Sequence, residues 1–379
     1  MKVSSKINKI ILAALLIIIA FIVCIYFDIG PFGSKGRNMC NSMEEVADKV
    51  EEMLNRGEEG LLTVYAKNID ENELTSINFY LDTLKGNVTN IRLISQGSSV
   101  TKIELQVNRS DASYVLDSIK YGKEIPANKE MAKELETKTK SILEKYIKPT
   151  MTDFEKELAI HDYIVNNCTY GFFNDGTERE YSAYGALVDG KAVCSGYAAA
   201  MDLLLKCAGV DSKFVVGYAE SSQRAYDNSN IDADGVSEAD MEDNHAWNQV
   251  KIDGIWYNVD VTWDDPVGDG DMLSHVYMNI DDELMSHTHK WKKSKYEKCE
   301  SMAANYFRKS GTEFYSTEEL EGYCNYYFVK GEKELECRIN GFSVDNDDLQ
   351  FMFGISGVNG VGYAVSDMGD YRILNIAVK

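Results

Sequence analysis

The sequence predicts an α+β protein in which a helix that begins at a cysteine packs on an antiparallel sheet, with two small α/β units beside it and a transmembrane helix before it. Three patterns predict this arrangement. Apolar residues at helical spacing follow Cys194. Two alternating runs joined by Asp253-Gly254 predict an antiparallel hairpin. A segment that starts at Ser42 recurs at Ser316, which predicts the paired outer units.

Length and composition set the limits. The 379 residues are enough for two or three domains, and a hydrophobic content of 44% is enough to bury their cores. The 39 Lys and Arg against 61 Asp and Glu give a net charge of -22. This charge excludes a general affinity for nucleic acid, because phosphate binding needs concentrated basic residues.

The first predicted element is a transmembrane signal anchor over residues 1–28. Residues 10–27 form an unbroken apolar run long enough to cross a bilayer, with lysines before it. The basic flank predicts a cytoplasmic N-terminus, a single pass through the cell membrane and an extracytoplasmic remainder. A cleaved signal peptide is the alternative, although no small-residue cleavage site follows the run. A lipoprotein modified at Cys24 is a weaker one, because Val23 precedes that cysteine.

The rest of the chain divides by composition and pattern. We predict a linker, an N-terminal α/β unit with a connecting helix, a core and a C-terminal α/β unit, over residues 29–41, 42–148, 149–300 and 312–379. In the first unit the patterns predict helices over 44–54 and 74–84 and strands over 61–65, 88–95 and 100–107. In the C-terminal unit they predict a helix near 349–355 and strands near 362–366 and 371–378.

The two outer units are candidate copies of one another. Ser316-Thr317-Glu318-Glu319-Leu320 matches Ser42-Met43-Glu44-Glu45-Val46, and Lys330-Gly331-Glu332 matches Arg56-Gly57-Glu58, all at an offset of 274 residues. We interpret the C-terminal unit as a repeat of residues 42–107, and chance similarity of two amphipathic segments stays open. Neither unit carries a catalytic constellation, so binding or spacing is the simplest role.

Two helices are predicted before the core, over residues 129–147 and 153–167. Pro149 separates them, and Thr152 is a typical N-cap for the second.

A third helical pattern begins at Cys194. At a helix start, unpaired N–H groups and the helix dipole favour a thiolate, and the same donors can bind an oxyanion. A small buried cysteine is the alternative, and it describes Cys207 on the same helix better.

The predicted hairpin brings a histidine and a carboxylate together. The two-residue turn between runs 245–252 and 255–261 fixes the register, so that Asp260 lies opposite Trp247. His245 and Asp260 are then diagonal neighbours on one face, with Cα atoms about 7–8 Å apart. Asp260 can therefore accept a hydrogen bond from His245 and orient its ring. Taken singly, both are ordinary strand residues.

The cysteine helix and the hairpin together resemble the transglutaminase-like superfamily of papain-related cysteine enzymes. The resemblance covers about residues 150–270, and its motifs lie in 181–210 and 245–266. It implies a papain-like core in which Cys194 is the nucleophile of a Cys-His-Asp triad. The reaction that it implies is formation of a thioester with a glutamine side chain or peptide carbonyl, which an amine or water then resolves.

The same resemblance gives roles to further residues. His245 is the general base and acid, and Asp260 orients it. Ser195 stands where animal transglutaminases typically carry tryptophan, so the chain looks closer to the bacterial branch. Tyr184 is a candidate for the side-chain donor that often completes the oxyanion hole, and Trp247 with Ser195 are candidates for lining the site.

Metal and cofactor signals are weak, and we predict none. The acidic loop 230–235 imitates the start of a calcium loop, but Met241 stands where a bidentate Glu is needed. His275, His287-Thr288-His289 and Cys299 lack a zinc-ligand spacing, and a polar loop with two histidines is more often exposed.

The sequence thus predicts an anchored extracytoplasmic enzyme that acts by acyl transfer on peptide or protein amides, with no nucleic-acid partner. An unpaired thiol outside the cell needs a reason, and catalysis by Cys194 supplies one. The alternative is an inactive transglutaminase-like module that binds a partner at the cell surface. Substrate, acyl acceptor and oligomeric state stay open.

Overall fold

The computed structural model describes residues 38–67, 74, 77–95, 101–173, 175–219, 245–265, 273–369 and 371–379. The predicted anchor and the acidic loop 230–235 lie outside these residues. Within them, no helix combines the length and apolar character needed to cross a bilayer. The chain divides into two compact units, Met1–Ser110 and Asp111–Lys379.

The first unit contains a four-stranded sheet and a helix packed beside it. Its described elements include β1 (Met39–Cys40), α1 (Met43–Asn55), β2 (Gly60–Ala66), β3 (Gly86–Ser95) and β4 (Thr101–Arg109). The strand order is β1-β2-β4-β3, and the β1–β2 pair is parallel whereas the other pairs are antiparallel. Ser42 caps α1 by accepting the N–H of Glu45. Within the helix predicted near 74–84, the described residues are helical at Leu74 and form a short 3₁₀ turn over Ile77–Tyr80.

The second unit begins with a group of helices, and the last of those named here starts at Cys194. They are α2 (Asp111–Tyr121), α3 (Glu130–Tyr146), α4 (Asp153–Asn167) and, after the two-residue strands β5 (Thr169–Tyr170) and β6 (Lys191–Ala192), α5 (Cys194–Cys207). Thr152 and Glu155 form a capping box at the start of α4. Helices α2 and α4 pack on α5, and residues 196–205 of α5 are all buried, so that this helix is the centre of the core.

A five-stranded antiparallel sheet lies against α5. Its strands and the short helix beside them are β7 (Ser212–Ala219), β8 (His245–Ile252), β9 (Ile255–Val259), β10 (Met278–Ile280), α6 (Asp282–Met285) and β11 (His289–Lys290). The strand order is β10-β9-β8-β7-β11. Helix α5 contacts β7 and β8. The predicted mixed α+β fold, with a cysteine helix on an antiparallel sheet, is therefore confirmed.

The C-terminal sheet completes the second unit. After α7 (Tyr306–Ser310) come β12 (Glu313–Phe314), α8 (Thr317–Val329), β13 (Glu334–Ile339), β14 (Val361–Met368) and β15 (Tyr371–Val378). The order β12-β13-β15-β14 matches that of the first unit's sheet, and Ser316 caps α8 as Ser42 caps α1. The residues that recur in the sequence therefore lie at the start and just after the end of α1 and of α8. The helix predicted near 349–355 is a 3₁₀ turn, Gln350–Gly354.

Candidate active site

The cysteine lies at the first position of α5, as the sequence predicts. Val193 is the N-cap in an extended conformation, and no side chain caps the helix. The N–H groups at this helix start are therefore available to an oxygen atom, and the helix dipole adds positive potential there. Cys194 is partly exposed, so a carbonyl carbon can reach its sulfur.

The hairpin register places the histidine and the carboxylate together. Strands β8 and β9 pair Asn248 with Val259 and Ile252 with Ile255, the predicted register, through a turn with positive φ at Asp253 and Gly254. Nε2 of His245 lies 2.6 Å from Oδ2 of Asp260.

The imidazole lies beside the cysteine. Against the effect of burial, Asp260 and then Cys194 raise the pKa of His245, so the sulfur lies close to the ring. Because Nε2 of His245 faces Asp260, Nδ1 is the nitrogen left for the sulfur. His245 thus lies between Cys194, a partly exposed residue, and the fully buried carboxylate of Asp260. This order is the one that an activated thiol nucleophile requires.

The carboxylate is held in its charged form. Oδ1 of Asp260 accepts the backbone N–H groups of Thr262 at 3.0 Å and Trp263 at 3.2 Å. Burial alone would raise the pKa of Asp260, but the charge and hydrogen bond of His245 and a second histidine lower it well below its usual range. Burial likewise opposes protonation of His245, yet Asp260 and the bond to Cys194 raise the pKa of His245.

The second histidine is His289, which we predicted to be exposed on a polar loop. It is fully buried, because β11 pairs with β7 and carries it inside the domain. Its Nε2 lies 3.0 Å from Oδ2 of Asp260, and its Nδ1 lies 2.8 Å from Oγ1 of Thr288. Burial lowers the pKa of His289. A neutral ring that donates from Nε2 to Asp260 and accepts from Thr288 satisfies both contacts.

Aromatic rings enclose the buried end of the site. The ring of Trp247 is stacked beside His245 with centroids 6.0 Å apart, and Trp263 lies 5.8 Å from His245 and 4.6 Å from His289. Tyr277 packs edge-on against Trp263 at 5.1 Å. These rings exclude water from the imidazole and carboxylate, which strengthens the hydrogen bonds between them.

Tyr184, the candidate oxyanion donor, is hydrogen-bonded to another side chain. The hydroxyl of Tyr184 donates to Oε2 of Glu134 at 2.6 Å, and this bond raises the pKa of Tyr184 to about 12. Burial raises the pKa of Tyr170 and of Tyr181, and the charge on Cys194 raises both further. In Tyr181 the charges of Glu180 and Glu178 contribute more than that of Cys194. Both lie near the sulfur and are partly exposed. Neither was predicted, because each lies in a two- or three-residue element without a readable period.

The remaining residues to place are Ser195 and the cysteines other than Cys194. Oγ of Ser195 is buried without a hydrogen-bond partner among the described residues. The seven described cysteines are all free thiols. Burial raises the pKa of Cys207 to about 12, as expected for a packed core residue. Sγ of Cys299 contacts Gln249 at 3.3 Å.

Two groups of residues have the geometry to hold a metal ion, within the described ranges. One is His245, Asp260 and His289, the buried part of the site just described. The other is His161, Asp162 and His275. The ligand atoms of each group lie within 4.8 Å of one another.

Comparison with known proteins confirms the resemblance. Residues 140–261 match the model of the Transglutaminase-like superfamily. Cys194, His245 and Asp260 all lie within this segment. None of the curated proteins matches the chain significantly.

Solved structures are similar as well. A TGase crystal structure shares 18% identity at a TM-score of 0.28, over 57% of this chain and 54% of that chain, so this chain spans about half of its length. A candidate cysteine protease from Cytophaga hutchinsonii shares 15% identity at a TM-score of 0.25, over 52% of this chain and 68% of that chain. The periplasmic domain of TgpA from Pseudomonas aeruginosa, bound to ethylmercury, shares 15% identity at a TM-score of 0.25, over 43% and 55% of the two chains.

Proposed function

We propose that the transglutaminase-like core is a thiol-dependent acyl-transfer enzyme that acts on peptide or protein amides. One observation supports the proposal above all others: His245 lies between Cys194 and Asp260, with its Nε2 at 2.6 Å from Oδ2 of Asp260. A cysteine that only packs in the core does not require a neighbouring imidazole, and a histidine with a purely structural role does not require a partly exposed cysteine beside it.

In the first half-reaction Cys194 gives its thiol proton to His245, and the sulfur attacks the amide carbonyl carbon. A C–S bond forms, and the carbonyl π electrons move to the oxygen, which the N–H groups at the start of α5 stabilise. The intermediate then collapses, the C–N bond breaks, and His245 gives its proton to the departing nitrogen. The products are a thioester on Cys194 and free ammonia or an amine.

In the second half-reaction water or an amine attacks the thioester carbon. His245 takes the proton of the attacking group, the C–S bond breaks, and the sulfur leaves. Water gives net hydrolysis, and an amine gives transamidation. Asp260 stays ionised throughout, because two backbone N–H groups and two histidines hold it. It thereby orients His245 and stabilises its positive charge.

We propose further that the enzyme acts outside the cytoplasm, held at the cell membrane by residues 1–28. The apolar run 10–27 and the lysines before it support this location. Treating intact cells with a protease and then detecting the core by antibody tests it. Loss of the core from intact cells supports the location, and protection until the cells are lysed contradicts it.

The chemistry is tested by trapping the thioester. The full chain is incubated with p-nitrophenyl acetate, quenched in acid and analysed by peptide mass spectrometry. We expect one acetyl group on Cys194, which hydroxylamine removes. Cys194→Ala removes the adduct, whereas Cys207→Ser, on the same helix, retains it. Cell-envelope peptides can then replace the ester to identify the natural acyl donor.

An inactive binding module predicts a different result. Acetylation would be no faster at Cys194 than at a cysteine of the unfolded chain, and His245→Gln would leave that rate unchanged. Peptides from the cell envelope would then bind without release of ammonia or an amine. These two observations together would favour the binding-module hypothesis over the enzyme hypothesis.

A further inference from the structure

The geometry points to a second functional centre: we propose that His161, Asp162 and His275 bind one divalent transition-metal ion of the Zn²⁺ type. The three residues come from two separate segments. His161 and Asp162 lie on α4, and His275 lies in the loop before β10. None of them belongs to the Cys194 site.

The three ligand atoms are already spaced for a metal. Oδ1 of Asp162 lies 3.1 Å from Nδ1 of His161 and 3.0 Å from Nε2 of His275. Bonds of about 2.1 Å at angles between 90° and 109° separate ligand atoms by about 3.0–3.4 Å. The two distances to Oδ1 of Asp162 therefore match those of a metal site, and the three ligand atoms lie within 4.8 Å of one another. Two imidazoles and one carboxylate form a donor set suited to zinc, cobalt or iron(II).

Each histidine also has the outer partner that metal-bound histidines require. Nε2 of His161 lies 3.1 Å from Oδ2 of Asp264, and Nδ1 of His275 lies 3.2 Å from Oε2 of Glu336. Both outer carboxylates are themselves fixed, because Oδ1 of Asp264 accepts the N–H of Tyr277 at 2.9 Å and Oε1 of Glu336 accepts the hydroxyl of Ser274 at 2.8 Å. Such carboxylate–histidine pairs fix the tautomer that leaves the inner nitrogen free to bind a metal.

The charge of the cluster suits a divalent cation. Asp162, Asp264 and Glu336 surround two imidazoles, so every ring nitrogen faces a carboxylate oxygen. Three carboxylates beside two imidazoles give the cluster a negative potential, which favours a divalent cation.

Access distinguishes this cluster from the histidine pair at Asp260. The side chain of Asp162 is 34% exposed, which leaves room for a water ligand and a path for the ion. In the other cluster the three side chains are at most 7% exposed. Oδ1 of Asp260 is also occupied by two backbone N–H groups.

An ion at this site would connect three parts of the second unit. His161 lies on α4, Glu336 on β13 of the C-terminal sheet, and Tyr306 stacks on the His275 ring at 3.7 Å. Asp264 closes the turn after Asp260, since its N–H donates to the carbonyl of Asp260 at 3.1 Å. The ion would therefore stabilise the turn that carries the carboxylate of the candidate active site.

Direct binding measurements test the site. The purified full chain is stripped with EDTA, dialysed, and titrated with Co²⁺ by visible absorption and with Zn²⁺ against a chromophoric chelator. We expect one ion per chain and a rise in the unfolding midpoint with Zn²⁺. Asp162→Asn and His275→Gln should weaken binding at least 100-fold, and Glu336→Gln about 10–100-fold. His287→Gln, an exposed histidine of the same domain, is the matched control and should bind as the parent does.

The outcomes separate this site from its alternatives. Circular dichroism of each variant without metal shows whether it folds, and the partly exposed Asp162 makes Asp162→Asn the variant least dependent on packing. Loss of binding in folded Asp162→Asn, with full binding in His289→Gln, supports the site. Loss in His289→Gln with full binding in Asp162→Asn moves the ion to Asp260 and overturns the proposal. Failure of the parent chain to bind one Zn²⁺ at micromolar concentrations overturns it as well.

Discussion

Nε2 of His289 lies 3.0 Å from Oδ2 of Asp260, the same oxygen that faces Nε2 of His245 at 2.6 Å. One carboxylate oxygen thus accepts hydrogen bonds from two imidazoles. Of the two rings, His245 is the one whose pKa is raised by Cys194. His289 acts through Asp260, by fixing its orientation and keeping its lone pairs directed toward His245.

This relationship predicts the effect of His289→Gln. The glutamine amide can still donate to Asp260, but its nitrogen does not occupy the position of the imidazole Nε2. We therefore expect kcat to fall about tenfold with KM nearly unchanged. His289→Leu removes the donor and should cost about 100-fold, consistent with losing a hydrogen bond to a charged buried group. Steady-state kinetics on an acyl ester measures both. His287→Gln is the control, and equal losses in it and in His289→Gln would contradict a specific role.

The pH dependence of stability follows from the raised pKa of His245. An unfolded histidine titrates near pH 6.5. Because the folded pKa is higher, the stabilisation by the His245–Asp260 pair is fully present below pH 6.5 and is lost as pH rises through the folded value. The free energy of unfolding of the parent chain minus that of His245→Gln should therefore decrease above pH 6.5. Urea unfolding from pH 6 to pH 10 measures it, and a difference that grows with pH contradicts the pairing.

The hairpin and the cysteine helix could be predicted because local signals define them. Asp253-Gly254 adopts positive φ at both residues, so the turn fixes which strand positions face one another. Apolar spacing after Cys194 identifies the helix and its first residue. The hairpin register alone, counted outward from the turn, then makes His245 and Asp260 neighbours.

The remaining residues of the site could not be predicted, because their positions depend on tertiary packing. His289 and Tyr170 lie on strands of two residues, which carry no periodicity. His161 looks like an ordinary helix residue until Asp264 and the ring of His275 pack against it. Burial of polar side chains is decided by elements distant in the sequence, and single-chain patterns do not record it.

Tyr184 and Tyr170 should respond differently to removal of their hydroxyls. Tyr184→Phe loses the bond to Glu134, so it should lower stability by about 0.5–1.5 kcal/mol and leave acylation of Cys194 unchanged. Tyr170→Phe should slow acylation severalfold with little loss of stability, because Tyr170 lies close to the charge on Cys194. Burst kinetics and thermal unfolding measure the two effects. Slower acylation in Tyr184→Phe alone would restore the oxyanion role predicted from the sequence.

The first turn of α5 depends on a glycine for its approach to the neighbouring chain. A Cβ at Gly196 would lie 2.4 Å from the carbonyl oxygen of Glu180 and 2.7 Å from Cβ of Ala192, so the helix start would have to move. Gly196→Ala should therefore destabilise the protein by about 1–3 kcal/mol through overpacking. It should also reduce acylation, because Cys194 lies two residues earlier on the same turn.

Gly322 provides the matched control for this substitution. It lies inside α8, and a Cβ there would meet no atom within 4 Å. Gly322→Ala should stabilise the protein by about 0.5–1 kcal/mol, because it removes only backbone freedom of the unfolded chain. Chemical unfolding of both variants gives the comparison, and an ester assay reports the site. If Gly196→Ala were as stable and as reactive as the parent, the close contact at Glu180 would not be what positions the sulfur.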